Sequence, residues 1–245
     1  MQGQFSRSEL ILGKSATSVL AKKRVAVFGL GGVGGYVAEA LARAGVGMID
    51  IVDSDTVNLT NINRQIIALH STVGMPKTQA MEQRIKDINP NCKVTKHNVF
   101  YLPENRDTFD FKIYDYVVDA VDTVSAKIDI AVRCSEENIP LISSMGTGNK
   151  LDPAAFRVSD IFETRVCPLA RVMRSELKKR NVKSLKVVWS EEIPKEHDAE
   201  ALSEYMADAG ASLRGVPGSV SFVPPVAGLI AASEVIKDML TEKDV

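Results

Sequence analysis

A short strand that ends on a run of glycines and continues as a helix constrains the fold of this chain most strongly. The stretch RVAVF at residues 24–28 is apolar and β-branched, and GLGGVG follows it from Gly29 to Gly34. The next segment, VGGYVAEALARAG, repeats its apolar residues at helical spacing and stops at Gly45, a predicted C-cap. Glycines at such a turn let the backbone approach a phosphate, which the helix N-terminus attracts. The pattern predicts a nucleotide site, although a tight turn without a ligand gives the same signal.

Strands and helices alternate along the first 150 residues. Further strands are predicted at MIDIVD, CKVTKHNV, YDYVVDAVD and IPLISSMG, and helices at PKTQAMEQRIKDIN and SAKIDIAVRCSEEN. This alternation is typical of an α/β fold with a doubly wound, Rossmann-like, mainly parallel sheet covered on both faces. We expect residues 1–150 to form the nucleotide-binding region.

The pattern changes after Gly148. Two predicted strands, AAFRVSDI and LKVVWS, flank the basic helix CPLARVMRSELKKRN, and PPVAGLIAASEVIKDML closes the chain as a helix. The polar stretch 191–218 is rich in charge, Gly and Ser, and predicts a mobile loop or a substrate cover. We expect residues 151–245 to form a C-terminal strand and helix extension of the same domain, which contributes to substrate binding.

Composition and net charge indicate which kinds of binding partner the chain is expected to have. The 245 residues carry a net charge of −1 and a sequence pI of about 6.3, so no overall field draws the chain to nucleic acid or membrane. Pro224 and Pro225 interrupt the most apolar late stretch, which favours a buried helix over a membrane span. The three cysteines stand far apart without a CxxC pair, which argues against a zinc site and a disulfide framework. A cytoplasmic location is therefore expected.

Two carboxylates follow the second predicted strand. Asp53 and Asp55 open the stretch DSDTVNLTNINRQ, which then supplies Asn61 and Arg64. Asp53 lies at about the separation from Gly29 at which an acid meets the ribose of a bound nucleotide. Two carboxylates this close repel one another unless a cation or several donors lie nearby. A nicotinamide dehydrogenase has no need of fixed positive charge here, whereas an enzyme that splits a triphosphate does.

A lysine and an aspartate later in the chain support a phosphate and metal site. Lys77 follows Pro76, a predicted first helical residue, and the helix dipole disfavours a cation there by about 0.3–1 kcal/mol. An anion beside the helix end would explain Lys77; otherwise it is a solvated surface residue. Asp122 closes the predicted strand YVVDAVD, so Asp53 and Asp122 should face one crevice, where a carboxylate and phosphate oxygens hold Mg²⁺. Asp119, inside that strand, is expected to bond backbone or helix groups.

The motifs GLGGVG, DSDTVNLTNINRQ, GMPK and VVDAVD occur in an order that resembles the ubiquitin-activating-enzyme-like superfamily of carboxylate adenylators, the ThiF-type enzymes. The resemblance covers roughly residues 5–150 and implies that this region adenylates a carboxylate with ATP and Mg²⁺. It implies that Asp53 holds the ribose, that Arg64 and Lys77 hold the phosphates, and that Asp122 holds the metal. The ATP-binding residues it implies are Gly29, Gly31, Gly32, Gly34, Asp53, Asp55, Asn61, Arg64, Gln65 and Lys77.

The N-terminal segment FSRSELILG adds a residue that the resemblance assigns to a neighbouring subunit. Arg7 matches the arginine that reaches into the partner's active site in this superfamily, which implies a homodimer. Without the resemblance, Arg7 is a surface residue. The implied catalytic set is Arg64, Lys77, Asp122 and Arg7, which would act by positioning and charge neutralisation without a protein nucleophile.

The C-terminal third of the sequence resembles one particular family within this superfamily. The stretches DPAAFRVSDI, CPLARVMRSELKKRN, VVWSEE and PGSVSFVPPVAGLIAASEVI resemble the tRNA threonylcarbamoyladenosine dehydratases, so that nearly the whole chain is covered. The resemblance implies that ATP adenylates the threonine carboxylate of a modified adenosine in tRNA, and that a nitrogen of the same base then displaces AMP and closes a ring. Because the second nucleophile lies in the substrate, this chemistry requires neither a catalytic cysteine nor a sulfur carrier. Some relatives carry Asp at the position of Cys167.

The predicted helix CPLARVMRSELKKRN carries a dense run of cations. An isolated run of this kind is more often a solvated helix face, but on a nearly neutral protein it is also where a phosphate backbone would bind. Joined to the resemblance, it predicts a tRNA-binding set of Arg171, Arg174, Lys178, Lys179 and Arg180.

Two other functions remain open at this point. An activating enzyme for a small ubiquitin-like or sulfur-carrier protein would share the adenylation motifs, but the chain lacks paired CxxC motifs. Of its cysteines, Cys167 alone begins a predicted helix, where a thiol becomes more reactive. A nicotinamide dehydrogenase rests only on the glycine loop and Asp53. The prediction also includes a monovalent cation and a sulfur-transfer protein as further candidates.

Overall fold

Seven strands form one sheet in the computed structural model, which describes residues 3–209 and 217–240. The strands are β1 (Arg24–Phe28), β2 (Met48–Val52), β3 (Lys93–His97), β4 (Tyr116–Asp119), β5 (Leu141–Ser144), β6 (Phe156–Asp160) and β7 (Lys186–Ser190). The helices are α1 (Ser6–Leu20), α2 (Gly34–Ala44), α3 (Lys77–Ile88), α4 (Val124–Glu137), α5 (Pro168–Lys179), α6 (Ala199–Ala209) and α7 (Val223–Met239).

The sheet order is β3–β2–β1–β4–β5–β7–β6, and each neighbouring pair is parallel except β6 with β7. From β1 the chain winds outward through β2 and β3, and then returns to place β4 on the other side of β1. This reversal leaves a crevice at the carboxyl ends of β1 and β4, where ligands of doubly wound sheets bind. The prediction of a mainly parallel, doubly wound sheet is confirmed.

Helices cover both faces of the sheet, because its central strands are apolar on both sides. On one face α2, α3 and α7 pack over residues such as Val27, Ile51 and Val118. On the other face α4 packs on Val117 with the aromatic rings of Phe28 and Phe111, while α5 packs on β7. Within residues 3–209 and 217–240, no helix is long and apolar enough to cross a bilayer.

The structure corrects several predicted element boundaries. β4 ends at Asp119, so Asp122 lies in the connection to α4 rather than at the end of the strand. Pro76 is the N-cap residue of α3 and Lys77 is the first helical residue. The helix α1 was not predicted; its sequence is interrupted by Gly13, which takes a non-helical conformation with φ of 83°.

The polar stretch 191–218 contains a helix that its composition did not predict. Helix α6 forms at Ala199–Ala209, and residues 210–216 of the stretch lie outside the described part of the chain. Strand β7 lies between β5 and β6, so the C-terminal third shares the sheet of the first 150 residues. The functional division at residue 150 stays a prediction.

Candidate active site

A cavity of about 620 Å³ opens at the carboxyl ends of the central strands. Its walls come from the loops after β1, β2, β4 and β5, from the start of α5, and from the segments on either side of α6. Of the predicted ATP-binding residues, all but Gly34 line it: Gly29, Gly31, Gly32, Asp53, Asp55, Asn61, Arg64, Gln65 and Lys77. Asp122 lines it as well.

The glycine loop is shaped by contact with the neighbouring strand. Gly29 has a φ of 88°, and a Cβ atom there would lie 2.6 Å from the carbonyl oxygen of Ala120. A Cβ atom on Gly34, the first residue of α2, would lie 1.8 Å from the carbonyl oxygen of Gly29. Gly34 therefore shapes the turn beneath the cavity, whereas Gly31 and Gly32 face into it. Gly29 and Gly34 are therefore required for close packing of the backbone, while the predicted approach of the loop to a phosphate stays a prediction.

Asp53 ties the end of β2 to the glycine loop. One carboxylate oxygen accepts a hydrogen bond from the backbone N–H of Leu30 at 2.7 Å, and the other accepts from the N–H of Asp55 at 2.8 Å. Burial raises the pKa of Asp53 above its ordinary value, against the opposing effects of the Lys77 charge and these backbone donors. The carboxylate is thus held in a fixed orientation at the cavity wall.

Lys77 supplies the cation that the paired carboxylates require. Its Nζ lies 2.7 Å from Asp55 Oδ2 and 3.8 Å from Asp53 Oδ2. The Lys77 residue is only 6% exposed, so the alternative of a solvated surface lysine is wrong. Its backbone N–H donates to the carbonyl of Asp55 at 2.9 Å, which fixes the start of α3 against the loop after β2.

Arg64 and Gln65 lie next to the glycine loop, near Gly32 and Gly31, and line the cavity with Asn61. The Arg64 guanidinium donates to Asn63 Oδ1 at 2.9 Å and to the carbonyl of Thr60 at 3.2 Å. Among the residues that the structure describes, the buried Gln65 Oε1 finds no hydrogen-bond partner, which is unusual for a buried polar atom. This segment therefore places Asn61, Arg64 and Gln65 along the cavity wall.

Asp122 and Asp119 have different environments despite their closeness in sequence. The carboxylate of Asp122 is exposed, and its one hydrogen bond among the described residues comes from the Thr123 hydroxyl at 3.4 Å. Asp119 is fully buried, lies 3.0 Å from Lys127 Nζ, and accepts hydrogen bonds from Ser143 Oγ and the N–H of Val121. The prediction that Asp119 bonds backbone and helix groups is confirmed.

Lys127 was not singled out from the sequence. It is fully buried in α4, and besides Asp119 it donates to the carbonyl of Val121 at 3.0 Å. It therefore fixes the loop that carries Asp122. The sequence did indicate that Lys127 could be buried, because it shares the apolar face of α4 with Ile130, Ala131 and Cys134 at helical spacing.

A metal site built wholly from protein ligands is not found in the described ranges, where no three His, Cys, Asp or Glu side chains converge. Asp122 nevertheless fits Mg²⁺, which binds through one or two carboxylates together with phosphate oxygens and water. Its carboxylate is exposed at the cavity and carries no ion pair in this part of the structure.

Two groups of predicted site residues, Arg7 and the tRNA-binding set, lie away from the cavity. Arg7 is exposed on α1 and does not line the cavity of its own chain. In the predicted tRNA-binding set, Arg174 turns inward to bond Thr164, and Lys179 and Arg180 pair with Glu176 at 2.6 and 2.7 Å. The remaining cations of that set, Arg171 and Lys178, are exposed.

The cysteines are buried. Cys92 and Cys134 pack in hydrophobic clusters, and burial raises the pKa of Cys92 to about 11 and that of Cys134 further. Cys167 is the N-cap of α5 and lines the cavity, but it is 2% exposed and packs with Met173 and Trp189. Cys92 and Cys134 are therefore small core residues.

The ThiF family matches residues 5–245, which is almost the entire chain. The chain belongs to the ThiF family. A tRNA threonylcarbamoyladenosine dehydratase from Bacillus subtilis (strain 168) is 45% identical over 249 residues, covering 100% of this chain and 98% of that protein. The resemblance inferred from the motifs is thereby confirmed.

Two solved structures have the same fold as this chain. The E. coli tRNA N6-threonylcarbamoyladenosine dehydratase in complex with AMP superposes with a TM-score of 0.84 at 33% identity, covering 96% of this chain and 93% of that chain. The complex of the same enzyme with ATP gives a TM-score of 0.82 at the same identity and coverage. Each superposition covers nearly the whole chain.

Proposed function

We propose that this ThiF-family enzyme uses ATP to dehydrate threonylcarbamoyladenosine in tRNA to its cyclic form. The observation that carries the proposal is a single cavity in which Asp53, Lys77, Arg64 and Asp122 surround a glycine loop. The chain that builds this cavity matches the Bacillus subtilis dehydratase over its full length, and the E. coli enzyme of similar fold has been solved with AMP and with ATP. A nicotinamide dehydrogenase explains neither the cations nor these matches.

The residues that line the cavity indicate how the nucleotide would be oriented in it. An apolar wall lies beside Asp53 and suits a flat base; it consists of Val52, Val99, Tyr101, Val121 and Ala126, which pack in one cluster. Asp53 would accept hydrogen bonds from the ribose hydroxyls. The glycine loop and the start of α2 would then lie against the phosphates, which the helix N-terminus attracts.

In the first step an oxygen of the substrate carboxylate attacks the α-phosphorus of ATP, and pyrophosphate leaves. Arg64 and Lys77 would neutralise the charge that develops on the phosphate oxygens, which is the principal way a protein accelerates such a transfer. Asp122 would hold Mg²⁺, which supplies further charge neutralisation when bound. Lys127 acts indirectly, because it fixes the backbone on which Asp122 is carried.

In the second step a nitrogen of the modified base attacks the activated carbonyl carbon. A C–N bond forms, the bond between that carbon and the AMP oxygen breaks, and the nitrogen loses its proton to solvent. Water would compete for the acyl-adenylate, so the site must be covered. Pro194, Pro217 and Ser219, on either side of α6, form part of the cavity wall and support such a cover.

A homodimer with a shared site belongs to the same proposal. Helix α1 carries Arg7 and exposes Leu10 and Ile11 at 85% and 81%, an apolar surface of the kind that subunit interfaces cover. Mixing inactive Arg7→Ala protein with inactive Asp122→Ala protein should restore activity if Arg7 acts across the interface, because some dimers then contain one intact site. Absence of restoration in verified mixed dimers would remove Arg7 from the partner's site. The cytoplasmic location, the monovalent cation and the sulfur-transfer partner stay predictions.

The proposed activity is tested by measuring the mass of the modified nucleoside. Protein, ATP, Mg²⁺ and tRNA that carries threonylcarbamoyladenosine are incubated, the tRNA is digested, and the nucleosides are weighed. We expect the modified nucleoside to lose the mass of one water with wild-type protein but not with Arg64→Ala. An unchanged nucleoside mass with folded wild-type protein that binds ATP would contradict the proposal. A covalent, thiol-sensitive adduct with a small protein ending in Gly-Gly would favour the carrier-activating alternative.

A further inference from the structure

Lys150 is a buried lysine without a carboxylate partner among the described residues. Three lysines in this part of the chain are buried: Lys77, Lys127 and Lys150, which are 6%, 0% and 4% exposed. The first two are neutralised, by Asp55 at 2.7 Å and by Asp119 at 3.0 Å. Within the described ranges Lys150 Nζ has only a long contact, 3.5 Å to the carbonyl oxygen of Gly148. Because an unpaired buried charge is costly, Lys150 requires an explanation.

The loop that carries Lys150 is held rigidly on both sides. The backbone N–H and C=O of Asn149 bond to Gly218 at 2.8 Å and to Lys195 at 2.7 Å, and its side chain accepts from the N–H of Gly218. On the other side, the Glu192 carboxylate accepts from the N–H groups of residues 151 and 152. The Lys150 side chain therefore starts from a fixed backbone and lines the same cavity as Asp53.

The position of Lys150 separates it from the nucleotide end of the cavity. The cavity follows the strand order, from Asp53 after β2, past the glycine loop after β1 and Asp122 after β4, to Lys150 after β5. The base and ribose are assigned to the β2 end, and the phosphates to the β1 loop. Lys150 thus lies beyond Asp122, on the side from which the acceptor must approach.

A second feature at this end of the cavity also favours an anion. The N-terminus of the twelve-residue helix α5 lies there, and Cys167, Pro168 and Leu169 line the wall. Among the described residues no side chain caps this helix end, and Pro168 at its first position has no N–H, so the N–H groups that follow and the positive dipole end are open to a ligand. A carboxylate between Lys150 and α5 would satisfy both.

We propose that Lys150, together with the N-terminus of α5, binds the carboxylate of the acceptor, the threonyl group of the modified adenosine. The proposal rests on the function proposed above, and it assigns this end of the cavity to the substrate. Lys150 orients one carboxylate oxygen toward the α-phosphorus while it binds the other. It also gives the enzyme a means of selecting modified over unmodified tRNA, since the unmodified adenosine has no carboxylate.

The test compares the affinity of each protein for tRNA with and without the threonylcarbamoyl group. We expect the wild type to bind the modified tRNA more tightly by about 10- to 100-fold, the range of a charge-assisted hydrogen bond, and Lys150→Met to lose this preference. Lys150→Met should bind a non-hydrolysable ATP analogue within twofold of wild type. Lys150→Arg should recover part of the preference, and the exposed Lys112→Met is the matched control.

Each outcome decides the assignment. A preference that Lys150→Met retains, or that the wild type never shows, overturns it. Loss of affinity for the ATP analogue in folded Lys150→Met also overturns it, because Lys150 would then bind phosphate. If Lys150→Met fails to fold, Lys150→Gln is measured in the same way. Failure of the wild type to form the cyclic nucleoside would instead reject the proposed function.

Discussion

The ammonium of Lys77 lies between the carboxylates of Asp55 and Asp53, at 2.7 and 3.8 Å, so one buried cation serves two acids. The two acids differ in exposure, since the Asp53 side chain is 9% exposed and that of Asp55 is 60% exposed. If Lys77 moves away, solvent can hydrate the exposed carboxylate of Asp55 in its place. The buried carboxylate of Asp53 has no such access to solvent. Lys77 is therefore placed to turn toward an incoming phosphate while Asp53 stays fixed by its backbone donors.

Replacement of Lys77 should disable ATP activation without loss of the fold. We expect Lys77→Met to lower ATP–pyrophosphate exchange by about 100-fold, comparable to the loss of one transition-state donor. The measurement is exchange of labelled pyrophosphate into ATP in the presence of modified tRNA. Lys112→Met, which lies outside the cavity lining, should remain at the wild-type rate. An exchange rate within threefold of wild type for Lys77→Met would contradict a role at the phosphates.

Replacement of Asp122 should change the response to Mg²⁺. We expect Asp122→Asn to need a higher Mg²⁺ concentration and to turn over about 100-fold more slowly, since it loses a metal ligand and a positioned charge. Its melting temperature should stay near that of wild type, because the exposed carboxylate has one weak contact among the described residues. A titration of activity against Mg²⁺ measures this, with exposed Asp107→Asn as the control. An unchanged Mg²⁺ curve would exclude Asp122 as a ligand.

The buried pair Asp119–Lys127 should matter for stability more than any exposed pair. Lys127→Met leaves a buried carboxylate without its cation, which costs about 3–5 kcal/mol of unfolding free energy. The double variant Asp119→Asn/Lys127→Met should be more stable than Lys127→Met alone, because no unpaired charge remains. Urea unfolding of both single variants and the double variant measures the coupling. Strictly additive losses would show that the pair does not interact.

Asp50 should contribute a stability that disappears in acid. Burial alone would raise its pKa, but hydrogen bonds from His97 and Arg24 outweigh burial and hold the pKa below its ordinary value. The ionised carboxylate therefore stabilises the fold above about pH 4, the unfolded pKa, and this stabilisation is lost as the pH falls through the lower folded pKa. We expect Asp50→Asn to cost about 1.5–3 kcal/mol at neutral pH. The difference from wild type in urea unfolding should narrow as the pH falls below about 4, the unfolded pKa, and a constant difference would contradict this.

The exposed cations of α5 should bind tRNA through its phosphates. We expect Arg171→Ala/Lys178→Ala to weaken tRNA binding and to reduce the slope of log affinity against log salt by about 1 to 2, because fewer counterions are released. Lys22→Ala/Lys112→Ala is the control, since both lysines are exposed and lie outside α5. Equal salt slopes for the two double variants would remove α5 from the tRNA-binding surface.

The order of local elements could be predicted well, because periodicity and glycine placement act over short distances. The helix α2 ends at Gly45 in a left-handed conformation, as its sequence predicted. Strand order could not be predicted, since β1 pairs with β2 and β4 and the latter lies far along the chain. The insertion of β7 between β5 and β6 likewise depends on contacts that no local pattern records.

The site was predicted only in part, because the sequence shows local motifs but not which distant residues pack together. Asp53, Arg64 and Lys77 stand in motifs close to the glycine loop, and the structure brings them to one cavity. Lys150 was missed because its loop carries no motif, and Lys127 because a lysine in a helix is usually solvated. Whether a charged side chain is buried depends on what packs over it.

Sequence alone determined the chemistry of this protein's residues: a glycine turn, paired acids, a lysine at a helix start and short β-branched strands. These features follow from side-chain size, backbone freedom and charge, which each residue carries with it. The tertiary structure alone decided which charges are neutralised and which are left for a ligand. It pairs Lys77 with Asp55 and Lys127 with Asp119, and it leaves Lys150 buried without a carboxylate among the described residues. The physical reason is that burial and distance, which set the strength of a charge interaction, exist only once distant segments have packed together.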